Sequence, residues 1–325
     1  MIIVTGGAGF IGSNLIHELN RIGETEIICV DNLTDSTKFR NLVGARFSDY
    51  MDKHEFRRAI DSGSLSAKRI RAILHQGACS NTLEDNGAYM MDNNFAYSKE
   101  VLHYALQFHI PFVYASTAAV YGLSQNFAPE PENERPLNVY GFSKLVFDNY
   151  VRRLLPTIES TVVGLRYFNA YGPRELHKGR MASVIQHFSK QMKETGVIGM
   201  FQGSGGYGDG EQRRDFVYVR DLCRMNIFFA GLGDEDLRTS LGDVEDIYQG
   251  IFNAGTGASR SFNAVAKALQ QVHGPAKIEY IPLPFDLNGR YQHFTEADIT
   301  SLQHRGHYTH GFTALEDGIA QTFAG

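Results

Sequence analysis

Between the apolar run Ile2-Ile3-Val4 and a helical stretch from Gly12 to Leu19 lies Thr5-Gly6-Gly7-Ala8-Gly9-Phe10-Ile11-Gly12. Glycines spaced in this way between a strand and a helix leave few folds open. An early glycine permits a tight turn, Gly9 lets backbone N–H groups approach a pyrophosphate, and Gly12 lets helix and strand pack closely. The helix N-terminus then aims the positive end of its dipole at the phosphates. Such a turn alone occurs in many loops. Its place at the first strand–helix junction, with Asp31 about 20 residues on at the end of the run Glu26-Ile27-Ile28-Cys29-Val30, reads as a dinucleotide turn.

Further β-rich runs at Ile73-Leu74, Phe112-Val113-Tyr114-Ala115 and Val162-Val163-Gly164-Leu165 alternate with helical periodicity. That alternation predicts α/β architecture, a doubly wound parallel Rossmann sheet with a smaller α/β C-terminal lobe that binds substrate. Residues 1–168, with about 214–250 returning, are expected to form the dinucleotide domain, and 169–213 with 251–325 the lobe. The return is read from Phe216-Val217-Tyr218-Val219 followed by Asp221. The glycine-rich segment Gly203–Gly210 predicts a mobile loop, and the acidic Gly231–Asp246 a solvated excursion.

Composition narrows the function classes. A chain of 325 residues with 43% hydrophobic content can bury one large core, or a core and a smaller lobe. Its net charge of -5, with both signs interspersed, argues against nucleic acid and anionic membrane as partners. Cys29, Cys79 and Cys223 are too scattered for a disulfide framework or a zinc site. With no export leader and no long apolar run, a cytoplasmic protein that holds no metal is expected.

Two segments carry chemistry. Tyr140-Gly141-Phe142-Ser143-Lys144 puts a phenol and an ammonium on one helix face, where Lys144 would stabilise the phenolate and hold a nicotinamide ribose. Thr117, at a strand end with Ser116 beside it, could hydrogen-bond an alcohol as Tyr140 takes its proton. Ser116 reads more readily as a cap for the next helix. Asp31 suits the ribose hydroxyls of NAD, whereas Lys38 and Asn32 suit the 2′-phosphate of NADP. Lys38 and Lys53 read equally well as surface lysines.

Together with Ser116-Thr117-Ala118-Ala119-Val120-Tyr121-Gly122 and Arg214-Asp215-Phe216-Val217-Tyr218-Val219, these motifs resemble, over nearly the whole chain, the extended short-chain dehydrogenase/reductases that modify nucleotide sugars. More selective segments resemble the branch of that family acting on ADP-heptose at its sixth carbon: Asp49–Lys53, Gly77–Ser80, Tyr89–Asn94, Arg166–Asn169, Gly172–Arg174, His177–Gly179 with Met181–Ser183, and Gly289–Gln292.

The resemblance implies an epimerase that transiently oxidises the C6 alcohol of ADP-heptose and re-reduces the ketone on its other face. It also implies NADP, with NAD as the alternative, and a homo-oligomer, possibly a ring of five. It carries two bases onto Tyr140 and Lys178, with Lys144 and Thr117 in support. Cofactor contacts are implied at Gly6, Gly9, Phe10, Ile11, Gly12, Asp31, Asn32, Lys38, Lys53, Gln76, Gly77, Ala78, Cys79, Ser80, Asn93, Lys144, Ala170 and Lys178. Substrate contacts are implied at Thr117, Asn169, Arg180, His187, Phe201, Gln202, Gly203, Ser204, Arg214 and Tyr291.

The chain departs from the family pattern at Arg180, where a small serine is usual, and at Gln76, where Glu is usual. An expanded Gly205–Gln212 loop leaves Arg213 in competition with Arg214. Ala118 and Ala119 replace the acidic pair that a dehydratase would need, and the Lys178 segment separates this chain from a UDP-hexose 4-epimerase. A regulator without chemistry is hard to reconcile with Thr117, Tyr140 and Lys144 all being present.

Overall fold

The apolar runs assemble into one seven-stranded sheet in the computed structural model, which describes residues 1–233, 247–285 and 291–324. The strands are β1 (Ile2–Thr5), β2 (Ile27–Asp31), β3 (Asp49–Asp52), β4 (Ala72–His75), β5 (Phe112–Thr117), β6 (Val162–Tyr167) and β7 (Gln249–Ala254). All pair in parallel, in the order β7-β6-β5-β4-β1-β2-β3. Ile2 and Val4 point into the core on one face and Ile3 into the core on the other, so β1 needs apolar residues at successive positions. Strand order reverses between β1 and β4, and the crevice beyond their carboxyl ends is where such sheets bind ligands.

The glycine turn has steric reasons to be as it is. Gly6 has φ +65°, and a Cβ there would lie 2.8 Å from the backbone of Gln76 and Gly77 on β4's side. A Cβ on Gly12 would meet the Gly6 carbonyl oxygen at 2.1 Å. Helix α1 (Phe10–Arg21) starts two residues before the expected Gly12, because Gly9 caps it and accepts the Ser13 N–H. His75 braces the switch point: its Nδ1 is 2.7 Å from Thr5 Oγ1 and its Nε2 3.0 Å from Ser98 Oγ. Burial pushes this imidazole down to about 3, so it stays neutral and can join one donor to one acceptor.

Helices α2 (Lys53–Asp61), α3 (Tyr97–Gln107) and α4 (Val139–Leu154) cover the Ile3 face, with Phe56, Val101, Leu102, Phe147 and Val151 buried there. The lobe adds α5 (Val184–Thr195), then α6 (Val219–Phe229) returns to pack on α1 through the Arg220–Glu18 ion pair at 3.0 Å. Helices α7 (Phe262–His273) and α8 (Leu315–Phe323) complete the lobe, with a parallel pair of Val197–Phe201 and Lys277–Ile281.

Three expectations need correction. The boundary placed at about 250 falls inside β7, which pairs with β6 along its whole length to Ala254. The segment Gln-Gly-Ile-Phe-Asn-Ala has too short an apolar run to announce the strand that ends the sheet. The returning Phe216–Tyr218, in turn, pairs with Asn169–Tyr171 rather than with the main sheet. The Gly203–Gly210 loop is tied rather than free: Gly203 N–H donates to Asp209 Oδ1 (2.7 Å), Gly210 N–H to the Phe201 carbonyl (3.1 Å), and Asn263 Nδ2 to the Asp209 carbonyl (2.8 Å). The acidic excursion from Gly231 lies, after Gly233, outside the described residues.

Beneath β5 and α4 lies a buried charge cluster. Arg166, fully buried on β6, pairs with Asp148 of α4 at 2.9 Å and with Glu134 at 2.6 Å, and Arg152 also pairs with Glu134. Asp148 accepts further bonds from Tyr114 (3.0 Å) and Ser116 (2.9 Å), which locks the end of β5 to the helix bearing Tyr140 and Lys144. Removing one partner of such a pair strands the other charge. Arg166→Met is therefore expected to cost about 3–5 kcal/mol of unfolding free energy in a urea titration; a loss below about 1 kcal/mol would show that the cluster does not brace the fold.

Candidate active site

A cleft of about 1430 Å³ opens beyond the carboxyl ends of the strands, between the sheet and the lobe. Small-molecule pockets commonly measure roughly 300–1,000 Å³, so this cleft has room for more than one small ligand. Gly6, Gly9, Phe10, Ile11 and Gly12 form its floor beside Asp31, Asn32 and Lys38, and Lys53, Gln76, Gly77, Ala78, Cys79, Ser80, Asn93 and Ala170 line the same side.

This floor fits a dinucleotide. Gly9 caps α1 with no side-chain bond, leaving the first-turn N–H groups to an anion, and a Cβ at Gly9 would meet only the Gly6 carbonyl. Asp31, expected to serve the ribose, is largely engaged by the protein. Its Oδ2 accepts the Ala8 N–H (3.0 Å), and its Oδ1 accepts from Asn32 N (2.8 Å), Leu33 N (3.3 Å) and Lys38 Nζ (2.5 Å). Lys38 is no loose surface lysine, its side chain being 16% exposed. Lys53 donates to Asn93 Oδ1 at 2.8 Å, and burial lowers its pKa. The Gln76 amide donates to Asn226 Oδ1 (2.8 Å) and accepts from Tyr167 (2.9 Å), a pair of roles that an ionised Glu could not fill. The Cys79 N–H donates to Asn94 Oδ1 at 2.8 Å.

Thr117, Tyr140 and Lys144 meet in the centre of the cleft. The cap of the turn that follows the strand is Thr117 rather than the expected Ser116. Ser116 turns away to Asp148, and it is Thr117 whose Oγ1 accepts the Ala119 N–H at 3.1 Å, which leaves its own O–H to donate. Lys144 is 3% exposed and donates to the Ala115 carbonyl at 2.8 Å; burial pulls it down to about 8, against the pull of Asp148. Burial raises the Tyr140 phenol, and the Thr117 hydroxyl is what favours its ionised form.

Lys178 enters from the lobe side on the turn Leu176–Met181. Glu175 anchors that turn, accepting from Ser183 N (2.6 Å) and Ser183 Oγ (2.7 Å) while almost fully buried. The Lys178 ammonium rests 5.1 Å above the Phe10 ring, and burial lowers its pKa against the opposing charge of Glu175. Arg180 is exposed at the cleft rim.

At the other end, Arg214 lies between the rings of Tyr291 (5.1 Å) and Phe262 (5.6 Å), with Phe201 edge-on to Tyr291 at 5.6 Å. Burial lowers the Arg214 pKa. The neighbouring Arg213 has its guanidinium tied to Ser259 and is not among the cleft-lining residues. Asn169 lies nearby, its Oδ1 accepting from Thr295 at 3.2 Å.

Four expected substrate contacts are not among the cleft-lining residues. His187 sits with its Nε2 3.3 Å from the Arg180 carbonyl. Gln202, Gly203 and Ser204 follow Phe201 into the tied turn, where the Gln202 N–H bonds Ile281 and Ser204 bonds His293 and Gln212. Sequence reading missed Phe262, Tyr89 and His177 as lining residues. His177, the neighbour of Lys178, and Tyr89, which opens the segment Tyr89–Asn94, carried a signal in the resemblance, and Phe262 carried none.

A glycine cradle at a parallel-sheet switch point, with a threonine, a tyrosine and a lysine converging above it, defines a nicotinamide-dependent Rossmann enzyme. The sequence matches the NAD dependent epimerase/dehydratase family over residues 2–241. It is 51% identical over 319 residues, 98% of this chain and 95% of the relative, to the ADP-L-glycero-D-manno-heptose-6-epimerase of Alkalilimnicola ehrlichii. Among solved structures, the Helicobacter pylori ADP-L-glycero-D-manno-heptose-6-epimerase aligns with TM-score 0.82 at 29% identity, covering 99% of this chain and 95% of that one. The UDP-glucose 4-epimerase of Thermotoga maritima aligns with TM-score 0.74 at 27% identity, covering 99% and 96%. The chain belongs to the NAD dependent epimerase/dehydratase family and uses a nicotinamide cofactor.

Proposed function

We propose that this chain interconverts the two C6 epimers of ADP-glycero-manno-heptose, with NADP held on the glycine turn, in the cytoplasm and as a closed ring of subunits. The observation that carries the chemistry is the arrival of Tyr140 and Lys178 in one cleft from two different parts of the chain. Inverting a secondary alcohol needs a proton acceptor for the hydroxyl in one orientation and a donor for it in the other. One such group serves a one-directional dehydrogenase; two on separate elements suit an epimerase.

A nicotinamide cofactor held on the glycine turn at Gly6, Gly9 and Gly12 would supply the hydride acceptor, and then the hydride donor, for the carbinol carbon. Tyr140 accepts the hydroxyl proton as the carbinol C–H bond breaks, and the Thr117 O–H, which faces Tyr140 in the protein alone, turns to donate to the substrate oxygen. Lys178, kept from full basicity by burial, returns a proton to the oxygen once the ketone has turned over. The same logic exchanges the two residues in the reverse direction. Arg214, between its two rings, offers a planar fork of donors to the diphosphate, and Tyr291, Phe262 and Phe201 offer apolar faces to the adenine. NADP is favoured by the engagement of Asp31: with both its oxygens taken by Ala8, Asn32, Leu33 and Lys38, it has little left for a 2′-hydroxyl, while Lys38 suits a phosphate.

Purified protein incubated with one C6 epimer of ADP-heptose is expected to yield the other, followed by proton NMR, with no added nucleotide consumed. The same preparation, denatured, is expected to release NADP. Turnover of UDP-galactose with none of ADP-heptose would overturn the substrate assignment.

A further inference from the structure

The turn carrying Lys178 is pinned to the dinucleotide side of the cleft through His177. Asn41 Nδ2 donates both to the Ala8 carbonyl (2.9 Å) and to Nδ1 of His177 (3.0 Å). A carbonyl can only accept, so the Asn41 amide has one possible orientation and Nδ1 of His177 must be the acceptor. The neutral imidazole therefore carries its proton on Nε2. No protein group among the described residues takes that Nε2–H in a hydrogen bond, and the half-buried ring lines the cleft along with Asn32, Asp35 and Lys38. Burial, then the charge of Lys38, holds the imidazole below its ordinary pKa.

We infer that His177 is a second donor to the phosphate on the adenosine ribose of the cofactor, reaching it from the lobe while Lys38 reaches it from the sheet. The need for a second donor follows from charge. A phosphate monoester carries about -1.5 to -2 at neutral pH, whereas the Lys38 ammonium is already shared with Asp31 at 2.5 Å. A neutral N–H fixed in direction by Asn41 adds a bond without adding a second cation beside Lys38, which would repel it. Asn41 sits three residues after Lys38 and bonds the glycine turn itself, so His177 is referenced to the same backbone that cradles the pyrophosphate. The inference rests on the NADP reading above and assigns His177 a part in cofactor choice rather than in proton transfer.

The test compares equilibrium binding of NADP⁺ and NAD⁺ to cofactor-free protein, in wild type, His177→Ala and His177→Gln. Losing a hydrogen bond to a charged group should weaken NADP⁺ by about 10- to 100-fold and NAD⁺ by less than about twofold. His177→Gln, which keeps an N–H donor on a side chain of similar reach, is expected to recover part of the NADP⁺ affinity. If wild type prefers NADP⁺ but His177→Ala weakens both nucleotides equally, or neither, the inference is overturned and the cofactor reading stands. A wild type without preference for NADP⁺ overturns that reading, and this inference with it.

Discussion

Tyr140→Phe is expected to fold as the wild type does and to lose epimerisation by about 10³-fold, within the 10²–10⁴ that a positioned proton-transfer group contributes. The ring stays, so the packing of the α4 N-terminus is kept; only the oxygen facing Thr117 is removed. That oxygen is poorly disposed to ionise in the protein alone, since burial raises its pKa and Lys144 is turned to the Ala115 carbonyl. Positive charge brought by an oxidised nicotinamide would favour the phenolate, and proton acceptance is thereby tied to the presence of a cofactor ready to take hydride. The measurement is the rate of C6 inversion by NMR, with circular dichroism melting as the folding control. A variant within about tenfold of wild type would remove Tyr140 from the proton-transfer role.

How much of this could be read beforehand depends on what each position demands. The glycine turn was legible because its demands are steric and local: a Cβ at Gly6 or Gly12 collides with backbone, and no other residue type would serve. Strands buried on both faces were legible as apolar runs. The edge strand Asp49–Asp52 has one strand neighbour and is partly exposed, so polar residues suffice and no run marks it. In β7, two bulky residues between Gly250 and Asn253 hid a strand that ends the sheet.

The site divides in the same manner. Tyr140 and Lys144 share one helix, and their spacing announces a common face. Arg214 keeps its place before Asp215-Phe216 in the sequence, and Ser259 is seen to hold the rival Arg213. The inclusion of His187 and of Gln202–Ser204 rested on resemblance alone, and the turn after Phe201 folds back on Asn263 and His293, away from the cleft. His177 was invisible as a donor because the residue that orients it, Asn41, lies 136 positions away.

Lys178→Met separates a two-base epimerase from a one-base dehydrogenase. Methionine keeps the unbranched stem that lies over Phe10 and removes the amine, so the turn held by Glu175 and Asn41 is expected to persist. Loss of one proton-transfer group should reduce C6 inversion by about 10²–10⁴-fold. The loss should be lopsided. With Tyr140 intact, one epimer can still surrender its hydroxyl proton and reduce bound cofactor in a single turnover, seen as reduced-nicotinamide absorbance, while the other epimer cannot. Inversion is blocked because the ketone, once turned over, finds no donor on its new side. Equal impairment of both epimers in the single-turnover reaction would make Lys178 a binding residue instead, and full inversion activity in Lys178→Met would end the two-base proposal.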